Sequence, residues 1–99
     1  MVKIYTLTLA PSLDSATQTP QIYPEGKLRC SAPVFEPGGG GINVARAITF
    51  RGGNATAISP AGGATGEHLV ALLQAENVPV ESIEAHEWTR QNLHVHVAA

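Results

Sequence analysis

Four consecutive glycines, Gly38 to Gly41, lead directly into "INVARAITF", a segment with a helical pattern. Glycine loses more conformational freedom on folding than any other residue, so such a run needs a cause. A helix N-terminus carries unpaired N–H groups and about half a positive charge. A glycine loop ahead of it lets a polar or anionic small molecule touch the backbone. Asn43 falls in the first turn, where its amide can both donate to and accept from hydroxyls. Read from the residues alone, a tight turn or close helix–sheet packing explains the run equally well. It fits neither nucleotide fingerprint: no Gly-Lys-Ser/Thr follows, and roughly thirty residues separate it from the first strand. Other chemistry-bearing residues are sparse. His94 and His96 share one side of a strand, but two ligands are too few to argue a metal, and no metal site is expected. Cys30 has no histidine near it in sequence to activate it. Trp88 reads as a packing anchor.

The elements that would position these residues follow from pattern. "VKIYTLTLA" (residues 2–10) is β-branched, aromatic and alternating, hence a strand, and apolar enough to be central. That alternation also favours a strand over a signal peptide. Pro11, Pro20, Pro24, Pro33 and Pro37 exclude helix from the next stretch. "PEGK" marks a turn there, and "TQTPQIY" and "KLRCSAPVF" flank it, an exposed two-stranded excursion. Ile42, Ala45 and Ile48/Thr49 lie on one face of a first helix, which Gly52 and Gly53 end. "ATAIS" is a short strand. Leu69, Leu72 and Leu73 define a second helix, with Thr65 as N-cap and Glu67 in its first turn. "VPVESIEAHEW" and "NLHVHVAA" are strands. Two strand–helix passages imply parallel pairing with right-handed crossovers. The last strand meets Ala99 with no turn or cap, so the chain is expected to be a piece of something larger.

Size and charge bound the function. Ninety-nine residues make one small domain. A formal charge of −2 argues against nucleic acid or an anionic membrane as partner. No apolar run approaches a membrane span. One cysteine allows no internal disulfide, so the chain reads as cytoplasmic.

"GGGINVARAITFRGGNATAISPAG" satisfies the first signature of the ribokinase-like (PfkB-type) carbohydrate kinases, and the chain resembles that family. Glycines precede an asparagine (Gly41, Ile42, Asn43). A small residue comes two later (Ala45), a glycine seven further (Gly52) and another ten beyond (Gly62). "TLAPSLD", the proline-rich excursion and "TRQNLHVHV" extend the resemblance over essentially all 99 residues. One departure is Arg51, where the family usually has an apolar residue that packs the first helix.

The resemblance implies an α/β fold, the N-terminal part of a ribokinase-like parallel-sheet sandwich with a small β lid at about 15–36 and 80–99. It implies a phosphorylated sugar as substrate. Asp14 would hold sugar hydroxyls, a role suited to a carboxylate that accepts two hydrogens. On composition alone Asp14 is an exposed turn residue or cap. Gly38, Gly39, Gly40 and Gly41 with Asn43 would seat the sugar at the helix terminus. Arg90 would grip phosphate bidentately. Lys27, at the lid tip, would reach phosphate across a homodimer formed through lid strands; Arg29 is a weaker candidate of the same kind. Within the family the chain most resembles the N-terminal third of members that phosphorylate fructose 6-phosphate at its 1-hydroxyl with MgATP, a glycolytic step. Kinases of tagatose 6-phosphate and of fructose 1-phosphate share the pattern.

The family's catalytic aspartate sits in a Gly-Ala-Gly-Asp segment, and none occurs in these 99 residues. No catalytic residue and no MgATP site is expected within the chain, and the chain alone is expected to be inactive. Two other classes fit the same residues: a non-catalytic lid or dimerisation module, and a truncated remnant whose half-built sheet aggregates.

Overall fold

Ala55, Ala57 and Ser59 alternate with Thr56, Ile58 and Pro60 along β4 (Ala55–Ala61). The small set lies buried under helices, so backbone and helix approach closely. In the computed structural model, which describes residues 2–98, β4 is the middle strand of a three-stranded parallel sheet. β1 (Ile4–Leu7) pairs on one side with Ile4 opposite Ala55, and β5 (Val80–Glu84) on the other with Ala57 opposite Val80. α1 (Gly40–Phe50) and α2 (Gly63–Ala75) cover one face of it. Ile42, Ala45, Ala55, Ala57, Leu69, Leu73 and Val78 form the core between helices and sheet. Ile42 and Ala45 confirm the expected face of the first helix; Leu69 and Leu73 are buried in the second, with Leu72 half-buried. Arg46 Nε donates to Glu76 Oε1 at 2.9 Å across the two helices, an exposed pair worth under about 1 kcal/mol. On the opposite face of the sheet Tyr5, Leu7 and Ile83 are exposed. Their apolar character is that of strands covered on both sides.

Three further strands form a second sheet. β2 (Ser12–Thr19) is its centre, antiparallel to β3 (Val34–Gly38) and parallel to β6 (Arg90–Val97) over eight residue pairs. The architecture is thus α/β with a parallel main sheet, as the residues imply.

Four details differ from the sequence reading. The excursion's strands only overlap "TQTPQIY" and "KLRCSAPVF": Thr17–Thr19 end β2 and Val34 and Phe35 begin β3, the β2–β3 pairing runs between Ser12–Ala16 and Val34–Gly38, and residues 20–33 are an exposed connection. Prolines 20, 24 and 33 lack the N–H a ladder requires. Ser31 stitches the connection to β2: its N–H donates to the Gln18 carbonyl at 2.8 Å, and its carbonyl accepts from Thr17 Oγ1 at 2.6 Å. Second, the segment expected at 80–99 does not stay in one sheet: β5 belongs to the main sheet, because it completes the crossover through α2, and β6 alone joins the second sheet. Third, Thr65 is not an N-cap. α2 begins three residues earlier, at Gly63 behind the N-cap Gly62, and the Thr65 hydroxyl donates to the Thr89 carbonyl at 2.7 Å. Fourth, Glu67 lies beyond the first turn for the same reason.

Candidate functional site

Register places the site. In the second sheet, Ser12 stands between Gly38 and Arg90, and Asp14 between Glu36 and Asn92. Residues two apart on a strand share a face, so these six positions form two adjoining rows on one face. β3 then runs from Gly38 into α1, bringing the first helix's N-terminus to the end of those rows.

Asp14 is the most constrained polar side chain in them. Ser12 Oγ donates to Asp14 Oδ1 at 2.7 Å, and Asn92 Nδ2 donates to the same oxygen at 3.0 Å. Gly38 backs directly against the other oxygen: a Cβ there would collide with Asp14 Oδ2 and come within 2.5 Å of Ser12 Oγ. A cavity of about 200 Å³ beside the carboxyl is lined by Asp14, Ala16, Val34, Glu36 and His94. A larger one, about 500 Å³, lies between α2 and β5. Its lining carries two carboxylates, Glu67 and Glu84, and no cationic side chain, so size alone does not make it a phosphosugar site.

The glycine run divides its labour. Gly38 gives Asp14 room. Gly39, at φ 134°, holds a left-handed conformation that side chains rarely adopt and serves as N-cap of α1. Gly41 lies against Thr8, where a Cβ would come within 2.6 Å of its hydroxyl oxygen. Gly40 alone has nothing near it and is exposed. Because Gly39 has no side chain to cap with, Thr8 performs that task from β1's end: Ile42 N–H donates to Thr8 Oγ1 at 2.9 Å. A cap of this kind contributes about 1 kcal/mol. Asn43 is exposed in the first turn, its N–H committed to the Gly39 carbonyl at 2.8 Å.

Arg90 opens β6 and is exposed; its guanidinium donates to the Ala10 carbonyl at 3.3 Å. Thr89 anchors it, because Thr89 N–H donates to the Gly62 carbonyl and Thr89 Oγ1 accepts from Gly62 N–H. The second glycine loop therefore fixes where β6 begins. Lys27 and Arg29 lie in the exposed connection and make no hydrogen bond or ion pair among the described residues. The structure thus brings Asp14, Gly38 and Arg90 together near the α1 terminus and leaves Lys27 apart. Sequence reasoning missed Thr8, Ser12 and Asn92. Nothing local in the sequence pointed to Ser12 or to Asn92.

The fold is the one that solved phosphofructokinases share. A pfkB family carbohydrate kinase model matches residues 7–99, and the chain belongs to that family. Over its full length it is 83 % identical to the ATP-dependent 6-phosphofructokinase isozyme 2 of Escherichia coli, of which it covers 32 %. It is 47 % identical over 93 residues to the isozyme 2 of Mycobacterium tuberculosis, covering 94 % of this chain and 27 % of that one. The crystal structure of phosphofructokinase-2 from E. coli in complex with fructose-6-phosphate matches with a TM-score of 0.90 and 84 % identity, over 98 % of this chain and 32 % of that one. A putative phosphofructokinase from Staphylococcus aureus matches with the same TM-score at 32 % identity, over 97 % and 31 %. The chain spans about a third of the length of these relatives.

Proposed function

We propose that this chain is the sugar-phosphate side of an ATP-dependent kinase that phosphorylates fructose 6-phosphate at its 1-hydroxyl. The observation that carries the reading is the Asp14 carboxyl seated against Gly38, one strand from Arg90 and next to the α1 N-terminus. Asp14 accepts from sugar hydroxyls, Asn43 and the exposed Gly40 amide meet the sugar at the helix mouth, and Arg90 takes the phosphate. The relatives named for 6-phosphofructokinase support fructose 6-phosphate over fructose 1-phosphate, whose kinase in Bacillus subtilis is 36 % identical over 90 residues. The nucleotide, its magnesium and the catalytic base come from residues outside the 99, in the cytoplasm. MgATP supplies the phosphoryl group; these residues bind and orient the acceptor.

The test is a chimera in which this chain replaces the matching segment of the E. coli enzyme. It is expected to phosphorylate fructose 6-phosphate with ATP, and the 99-residue chain alone is expected to release no ADP above background. A folded but inactive chimera, or one that prefers fructose 1-phosphate or tagatose 6-phosphate, overturns the reading.

The lid also pairs two copies, with Lys27 reaching the partner's phosphate site. Support comes from the apolar row that Leu93, Val95 and Val97 present on β6, since a face of this kind seeks cover. Light scattering of the chimera should give twice the mass of one chain, and Leu93→Glu should halve it. A monomeric chimera removes the lid dimer from the proposal.

A further inference from the structure

We propose that Asn92 is a positioning residue that decides which oxygen of Asp14 faces the sugar. The inference rests on Asp14 as the sugar-binding carboxylate and names the residue that aims it.

A carboxylate side chain with free rotation offers either oxygen, and offers it over a wide arc. Here Oδ1 is occupied twice, by Ser12 Oγ at 2.7 Å and by Asn92 Nδ2 at 3.0 Å. A carboxylate only accepts, so the Asn92 atom facing it must be the amide nitrogen. No described residue donates to Oδ2, the oxygen that the bare Cα of Gly38 leaves room for. One oxygen is held and the other is free. Ser12 lies on the same strand as Asp14 and moves with it. Asn92 comes from β6, 78 residues away, and fixes the carboxyl against an external reference. That reference is itself rigid: Asn92 sits inside the eight-pair β2–β6 ladder, and its carbonyl accepts from Ser15 Oγ at 3.3 Å. A shift of β6 along β2 by one residue would turn Asn92 to the other face and release the carboxyl. Substrate orientation is thereby tied to lid register.

The test uses the chimera, with Asn92→Leu, which keeps the volume and cannot donate. KM for fructose 6-phosphate is expected to rise about tenfold, the worth of one hydrogen bond to a charged group. KM for ATP should stay within about twofold and the melting temperature close to the parent, which a merely structural role would not allow. Asp14→Ala is measured beside it. If Asp14→Ala raises the sugar KM and Asn92→Leu does not, the positioning role falls and the sugar-site reading survives. If Asp14→Ala leaves the sugar KM unchanged, the reading and this inference fall together. Should Asn92→Leu fail to fold, Asn92→Ser and Ser12→Ala test the two donors separately. A sugar KM within threefold of the parent in both overturns the proposal, and a larger rise for Asn92→Ser supports it.

Discussion

Gly62→Ala should cost the fold at least about 3 kcal/mol, the upper range for forcing extra carbon into a packed site. The cause is not backbone conformation. Gly62 sits at φ −142° and ψ 149°, extended geometry open to any residue. The cause is what lies over it. A Cβ at Gly62 would collide with the Glu87 carbonyl oxygen and reach within 2.7 Å of the Ala85 carbonyl oxygen. Both obstacles are backbone, and neither can rotate aside. Nor can the segment lift as a unit, because Gly62 and Thr89 exchange two hydrogen bonds and Thr65 holds the Thr89 carbonyl from below. Accommodating one methyl therefore means undocking the β5–β6 connection from α2, and with it the start of β6. For a domain near 100 residues, 3 kcal/mol corresponds to a fall in melting temperature of more than about 10 °C. Thermal unfolding followed by circular dichroism reads this directly, in the chain or the chimera. A melting temperature within about 2 °C of the parent would show that the connection is not packed as described.

The same contacts explain what could and could not be read from sequence. α1 and α2 were legible because Ile42, Ala45, Leu69 and Leu73 repeat at helical spacing, a local signal that owes nothing to the rest of the chain. β4 was legible as the short strand "ATAIS", two residues shorter than the strand that forms. β2 was not. "SLDSATQT" has one large apolar residue, Leu13, and no hydrophobic alternation. It is a strand because β3 pairs on one side and β6, more than seventy residues later, on the other. Asp14 could be placed only through its family pattern, and its partner Asn92 not at all, since no motif marks a contact across 78 positions. The glycine run was recognised as a unit but is four separate solutions: room for a carboxyl, a left-handed cap, an open amide and a close approach to Thr8. Arg51, which breaks the family's apolar habit, ends α1 exposed at its C-cap, so its charge stays in water and the helix still packs through Ile42 and Ala45. Composition carries none of this, because each solution depends on what the fold brings opposite.

Gly38→Ala should have the opposite signature, a small effect on stability and a large one on the sugar. Gly38 is not in a left-handed conformation, so alanine is conformationally allowed. Its Cβ would meet Asp14 Oδ2 and Ser12 Oγ, the movable ends of two side chains rather than fixed backbone. The fold can yield there by turning both aside, and a melting temperature within about 3 °C of the parent is expected, under 1 kcal/mol for a domain this size. Turning them aside, however, breaks the hydrogen bonds that hold the Asp14 carboxyl and displaces by about an ångström the oxygen that, on the proposed reading, meets the substrate. Misplacement on that scale costs on the order of a hundredfold in catalysis. In the chimera, kcat/KM for fructose 6-phosphate should fall by about that factor, with KM for ATP unchanged. Two glycine-to-alanine changes, one in each loop, thus separate the requirements that a composition count merges. A Gly38→Ala chimera that melts as early as Gly62→Ala, or that keeps its sugar kcat/KM within threefold of the parent, would mean that the first glycine serves packing and that Asp14 does not need the space it leaves.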